Sequence, residues 1–367
     1  MYTELGGKEA SRIVNNSAGA GLRSGGRDRA VRGWLERQLA EFRPDVVHVQ
    51  HLAWLDHEFS ASAPLVWTLP DAWGWCAAGG TLLRDGRACP GPGSDCARCA
   101  QGWAKDGPLV DAALAAAGLA SRIAAPERLH AAWRHVPAGI RARVGGHAGA
   151  ISQAQVEART AGFRTFAHRC AARLAPSRWL ADEAARQGFG PVEVLETGIA
   201  PVPGRAASTR ASGPFVFLGT IAPHKGPDLV LEAHRRSGVV TPLLIHGPPG
   251  PDPGFVARVP NLGPVADPMP LLARARALVL GSIWPENAPL VVLEARAAGC
   301  PVIAPSIGGL PEWVQPGVDG WLYPAGAVDS LARCIIEANS HPSPPVRPPR
   351  SLDEHVDGLE RVYDRVR

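Results

Sequence analysis

No apolar run in these 367 residues approaches the roughly 18 needed to cross a bilayer. The opening stretch, MYTELGGKEASRIVNN, also lacks the apolar centre of a secretory leader. A cytoplasmic protein is therefore expected, with the inner membrane surface as the alternative station. Charge of one sign is scarce too. Lys+Arg number 38 and Asp+Glu 34, a net charge of +4. That bias is too weak to argue for nucleic acid, though it suits an anionic small ligand or an anionic membrane surface. No repeat of fixed period is present, so solenoid architectures are not indicated.

Glycine and proline are abundant, at 41 and 36, so many sharp loops are expected. The chain is 46% hydrophobic and 20% charged, ordinary for a globular protein. Its length predicts two domains. The best boundary is APVPGRAASTRASG, residues 200–213, rich in Pro, Gly, Ala and Ser. It separates residues 1–199 from residues 214–340. A Pro-rich connector, 341–350, then leads to a helix over 351–367 capped by Ser351. In the second half, short apolar runs (PFVFLGT, TPLLIHG, LVLGS, PVIAP) alternate with helical patterns of about ten residues. That alternation predicts an α/β fold with a parallel sheet covered on both faces. Ligands on such sheets bind beyond the carboxyl ends of the strands.

The stretch SIWPENAPLVVLEARAAGCPVIAP, 282–305, falls at such an end. Pro289 suits the first position of a helix, where its missing N–H is not needed. Gly299 and Pro301 end that helix. Glu286 is thus placed in the loop and Glu294 on the helix, about one and a half turns in. The free N–H groups near Leu290 and Val291 make the helix start a seat for an anion. A carboxylate repels phosphate, so both glutamates are expected to bind sugar or ribose hydroxyls. Taken alone, Glu294 could equally be a solvated helix residue.

The stretch ENAPLVVLE resembles the Glu–seven residues–Glu motif of the retaining GT-B glycosyltransferases of glycosyltransferase family 4. FVFLGTIAPHKGPDLVLEA, LLIHGPP, NLGPVADPMPLLARARALVLGSIWPEN and PVIAPSIGGLPEWVQPGVDGWLYP are similar to the rest of that family's donor domain. The likeness is dense over 214–335 and looser over 44–100 and 165–200. It implies two Rossmann-like domains facing each other across a cleft, with a nucleoside diphosphate sugar as donor substrate. It assigns Glu286 to the transferred sugar, Glu294 to the ribose and Lys225 to the diphosphate. Gly219, Thr220, His246, Gly247, Val265, Asn287, Ala288, Pro289 and Leu290 would complete the donor site. Thr220 stands where many members carry Arg, and His224 or an arginine from elsewhere could replace that cation. Glu286 and Lys225 would carry the chemistry. No Asp-x-Asp motif stands in the right place, so no obligatory metal is expected for catalysis. The acceptor would be a glycan, a lipid-linked sugar or a small molecule. A catalytically weak relative, or a nucleotide-sugar epimerase, are the alternatives.

The first half departs from the family. No hydrophobic strand precedes the Gly-Gly of ELGGKEASRIV, so the N-terminal domain is expected to lack its first strands and to turn over poorly. In TLPDAWGWC, Pro70 replaces an expected histidine, while Asp71 and Trp73 remain as acceptor-side residues. Cys76, Cys89, Cys96 and Cys99 follow. Their last pair has metal-ligand spacing, so a structural zinc site and unliganded thiols are both open. Cys170, Cys300 and Cys334 lie in apolar contexts and are expected in the core. The 11 tryptophans are expected mostly in the core as well, with stacking on sugars as the alternative. The segment LHAAWRHVPAGIRARVGGHAGA, 129–150, is read as a lid over the acceptor cleft, with peripheral membrane contact as the alternative.

Overall fold

Buried apolar runs of four or so residues, linked by helices, can pair in parallel only through crossovers. Two such sheets form in the computed structural model, which describes residues 2–5, 8–11, 27, 29–52, 55–103, 151–200, 212–341 and 346–367. Strands β1 (Tyr2–Leu5) and β2 (Lys8–Ser11) make a separate antiparallel hairpin, with Leu5 opposite Lys8. The Gly-Gly of the opening stretch thus lies between two strands, neither belonging to a parallel sheet. Helix α1 (Arg29–Phe42), β3 (Val47–Val49) and β4 (Leu65–Thr68) follow. Next come a short hairpin, β5 (Leu83–Arg84) and β6 (Arg87–Ala88), and helix α2 (Cys96–Trp103). Helix α3 (Gln153–Arg169), β7 (Ala172–Ala175), α4 (Arg178–Arg186) and β8 (Glu193–Val194) complete the first half. Its parallel sheet runs in the order β3-β4-β7-β8.

The second half contains β9 (Phe215–Leu218), α5 (Pro227–Ser237), β10 (Leu243–His246), α6 (Pro253–Val256) and α7 (Met269–Arg274). It continues through β11 (Ala277–Val279), α8 (Leu290–Ala297), β12 (Val302–Pro305), α9 (Leu310–Trp313), β13 (Gly320–Tyr323) and α10 (Val328–Ser340). The sheet is parallel, ordered β10-β9-β11-β12-β13. The strand over 320–323 was not expected from the sequence. Its few residues follow a Pro-Gly turn and carry no period of their own.

Side-chain alternation explains the layers. Phe215, Phe217, Val279 and Ile303 join Val230, Leu331 and Ile335 on one face. Val216, Leu278, Val302 and Ala304 join Val292 and Leu293 on the other. Each large side chain so buried contributes about 1.5–3 kcal/mol. The first half packs around Phe59, Trp67, Trp75, Phe163, Phe166 and Phe189, so several tryptophans are core residues as expected. Cys170 and Cys300 are buried, and Cys334 is half-buried against the core. Trp54, Trp133, the segment 129–150 and most of the linker, 201–211, lie outside the described residues.

The last helix, α11 (Leu352–Val366), begins with the expected Ser351 cap, a capping box with Glu354. It crosses back to the first domain, where Val362 packs with Val66, Ala172 and Leu174. Tyr363 Oη lies 2.6 Å from His48 Nδ1, and His48 Nε2 lies 2.8 Å from Thr68 Oγ1. Burial pulls His48 down to about 4, so the ring is neutral near pH 7. Among the described residues, no helix is long and apolar enough to cross a membrane.

Candidate active site at the domain junction

The site is assembled at the carboxyl ends of β9, β10 and β11. After β9, a 3-10 turn (Pro223–Lys225) presents Lys225, and Gly226 closes it in the left-handed region at φ 63°. After β11, the loop 280–289 presents Glu286. These two loops meet because β9 and β11 are sheet neighbours. Lys225 Nζ donates to Glu286 Oε1 at 2.7 Å. Glu286 is only 6% exposed. A buried charge needs partners, and this carboxylate also accepts from Ser282 Oγ at 2.8 Å and Trp284 Nε1 at 2.9 Å. Burial, then the neighbouring Lys225 charge, lowers the His224 pKa. In the free protein His224 thus favours the neutral form.

Helix α8 starts one residue later than expected. Pro289 is its N-cap, with ψ 126°, and Leu290 is the first helical residue. The missing proline N–H is harmless in either place. Glu294 is therefore in the second turn. It is half-buried, and burial, then the charge of Asp267, raises its pKa. Among the described residues, its carboxylate has no hydrogen-bond donor. Beside it, the β10 end and the loop before Val265 are tied together. His246 Nδ1 lies 3.1 Å from the Gly263 carbonyl oxygen, and Asn261 Nδ2 donates to that of Gly247 at 3.0 Å. Gly219 N–H donates to the His246 carbonyl at 3.1 Å. His246, Gly247 and Gly219 thus form one connected floor, with His246 spent on the backbone. Thr220 continues that turn, and its side chain has no hydrogen-bond partner among the described residues.

The first domain closes over this edge. Asn287 Nδ2 donates to the Pro70 carbonyl at 2.9 Å, and Asn287 Oδ1 accepts from Ser177 Oγ. Pro70 thus contributes its carbonyl where a side-chain group was expected. Glu312 accepts from the N–H groups of Arg178 at 2.8 Å and Trp179 at 2.6 Å, which open helix α4. Those two donors have no partner within their own helix, and a carboxylate also answers the helix dipole. A cavity of about 260 Å³ lies at the junction, with Gln50, Thr68, Pro70, Pro176, Asn287 and Ala288 in its wall. Asp71 Oδ1 accepts from Trp73 N–H at 2.7 Å, and Asp71 Oδ2 lies 3.4 Å from His51 Nε2. Arg159 stacks on Trp73, 5.1 Å from its ring centroid. Burial brings Arg159 down to about 10. His51 and Arg159 carry no motif of their own, and only the fold brings them to Asp71 and Trp73.

Cys76, Cys89, Cys96 and Cys99 line one small cavity of about 20 Å³. Burial raises the thiol pKa of Cys76 and of Cys99. Among the described residues, no group of three or more His, Cys, Asp or Glu is placed to hold a metal ion. As they stand, the four thiols converge without forming the tetrahedral set that zinc requires.

Residues 213–340 match the family model described as Glycosyl transferases group 1. That match covers about a third of the chain. Curated relatives include the D-inositol 3-phosphate glycosyltransferase of Mycobacterium avium, 37% identical over 142 residues, covering 35% of this chain and 34% of that one. The enzyme of the same name from Kribbella flavida is 33% identical over 200 residues, 46% of this chain and 47% of that one. The chain thus spans about a third to a half of the length of these relatives. Among solved structures, sucrose-phosphate synthase from Thermosynechococcus elongatus superposes with a TM-score of 0.55 at 16% identity, covering 90% of this chain and 76% of that one. HepE of Anabaena, solved with UDP, gives 0.52 at 16% identity, covering 91% and 81%. The fold of the chain is accordingly GT-B, with two Rossmann-like domains across a cleft.

Proposed function

We propose that this chain is a retaining glycosyltransferase that moves a sugar from a nucleoside diphosphate sugar to a glycan, lipid-linked or small-molecule acceptor. The observation that carries this reading is the Lys225–Glu286 pair at the carboxyl edge of a parallel sheet, with Glu294, whose carboxylate has no donor among the described residues, on the next helix. Lys225 and the free N–H groups of Leu290 and Val291 would meet the diphosphate as its charge grows on departure. Glu286 would face the sugar, whose anomeric carbon becomes cationic. A diphosphate leaves readily, so no proton from the protein is needed, and the departing diphosphate oxygen would take the proton that the acceptor hydroxyl loses as its oxygen bonds to the anomeric carbon. Asp71 and Trp73 would face the acceptor. The relatives' name makes D-inositol 3-phosphate the first acceptor to try. The test is thermal stabilisation by a panel of nucleoside diphosphate sugars, followed by release of the nucleoside diphosphate. Stabilisation without release would favour a catalytically weak relative, and no stabilisation by any donor would end both readings.

Glu294 supplies a sharper test. Ribose hydroxyls would give its lone carboxylate the donors it lacks. Glu294→Ala is expected to weaken nucleotide binding by about 1–3 kcal/mol, the range for a hydrogen bond to a charged group. Affinity in the parent should fall as pH drops through the raised pKa of Glu294, because the carboxylate is the form that accepts two hydroxyls. Calorimetry giving equal affinities for mutant and parent would remove the ribose assignment.

The zinc proposal for the cysteine cluster rests on the small cavity that all four residues line. About one zinc per chain is expected in protein purified under reducing conditions, and Cys99→Ser should lower that content. Elemental analysis decides it. A metal-free chain with an intact fold would leave four reduced thiols.

A further inference from the structure

One indole touches both members of the central ion pair. The N–H of Trp284 donates to Glu286 Oε1 at 2.9 Å, and Lys225 Nζ lies 4.8 Å from the centroid of its ring. The His224 ring meets the same indole edge-on, 5.5 Å away. The backbones of the two loops are joined beneath it, because Ile283 N–H donates to the His224 carbonyl at 3.0 Å. Ser282, 2% exposed, adds a third donor to Glu286 Oε1. Tryptophan has the best aromatic face for a cation. A hydrogen bond to a carboxylate is among the stronger ones.

We propose that Trp284 is a positioning residue of the donor site: its edge fixes Glu286 toward the sugar, and its face keeps Lys225 within reach of the diphosphate. This rests on the nucleotide-sugar reading above. The physical need is clear from the free protein. Lys225 is held by Glu286, and a diphosphate carries more charge than a carboxylate, so an arriving donor draws the ammonium away. A carboxylate held by the lysine alone would follow it. Held also by Trp284 and Ser282, it stays. The ring face bears no formal charge, so it retains the ammonium in both positions.

Two variants separate the edge from the face. Trp284→Phe keeps the ring face and removes the N–H, whereas Trp284→Leu removes both. The probes are UDP and GDP in calorimetry, and UDP-glucose and GDP-mannose in an assay of nucleoside diphosphate release. The Phe variant is expected to bind the diphosphate within about threefold of the parent and to turn over at least about tenfold more slowly. The Leu variant is expected to lose about tenfold in diphosphate affinity as well. Ser282→Ala removes another donor from the same oxygen and should reproduce the Phe pattern, so it carries the test if the Trp variants fail to fold. Parental turnover in Trp284→Phe or Ser282→Ala, or equal diphosphate affinity in the Phe and Leu variants, would overturn the positioning role alone. A parent that binds but does not turn over leaves the Phe-against-Leu difference in affinity to decide. A parent that binds none of these probes overturns the nucleotide-sugar reading and this role together.

Discussion

Glu286→Gln is expected to lower turnover by about a hundred-fold to a thousand-fold while nucleoside diphosphate affinity stays the same or rises a few-fold. The amide keeps the shape of the carboxylate and can still accept from Ser282 and Trp284, so the loop should hold. What it loses is the charge. On the proposed reading the anomeric carbon is partly cationic in the transition state, and Glu286, only 6% exposed, would stand beside it as a fixed carboxylate. An interaction of about 3–4 kcal/mol realised only there appears in turnover and not in ground-state binding. The affinity term has the opposite sign for a simple reason. In the free protein Glu286 competes for Lys225 at 2.7 Å, and the glutamine would compete only as a neutral acceptor. Steady-state release of diphosphate and calorimetry with the bare nucleotide give the two numbers. Unchanged turnover would take Glu286 out of the chemistry. Turnover and affinity falling together would mean that the substitution acts through the loop's structure.

The two glutamates were legible because their positions follow from local rules. An apolar run ends, a proline opens a helix, and a glycine closes it. Those rules place Glu286 before the helix and Glu294 on it. Pro289 shows how far such rules reach, since proline fits the cap and the first turn alike and the start moved by one residue. Lys225 was placed by resemblance, but its partner was not legible. The pair spans 61 residues and forms because β9 lies between β10 and β11, and strand order is not written in any window of the sequence. The same holds for Asn287 on Pro70 and for Glu312 on helix α4, which depend on how the domains meet. Trp284 and Ser282 were in plain view within four residues of Glu286. Nothing in their spacing says that both donate to one oxygen, because a loop has no period from which to read direction. The cysteines show the converse. Spacing suggested a ligand set, and the backbone brings the four to one cavity without turning the thiols together.

Gly226→Ala is expected to destabilise the protein by about 3–5 kcal/mol and to abolish measurable donor binding. Gly226 joins the turn that carries Lys225 to helix α5, in the left-handed region at φ 63°. An alanine there costs only about 1–2 kcal/mol of backbone preference. The larger effect is contact. A Cβ on Gly226 would lie 2.0 Å from the carbonyl oxygen of Gly281, and that atom is backbone and cannot rotate away. The loop after β11 would have to retreat, taking with it the Ile283–His224 hydrogen bond and then Glu286. Gly238 provides the control within the same helix. It closes α5 at φ 65°, nearly the same conformation, and a Cβ there meets nothing within 4 Å. Gly238→Ala should therefore show the backbone cost alone, about 1–2 kcal/mol, with donor binding intact. Urea unfolding of the two variants measures the difference, which isolates the close approach of the two loops. If both alanines shift the midpoint equally, the loops are not held in contact at Gly226, and the Lys225–Glu286 pair does not depend on that glycine.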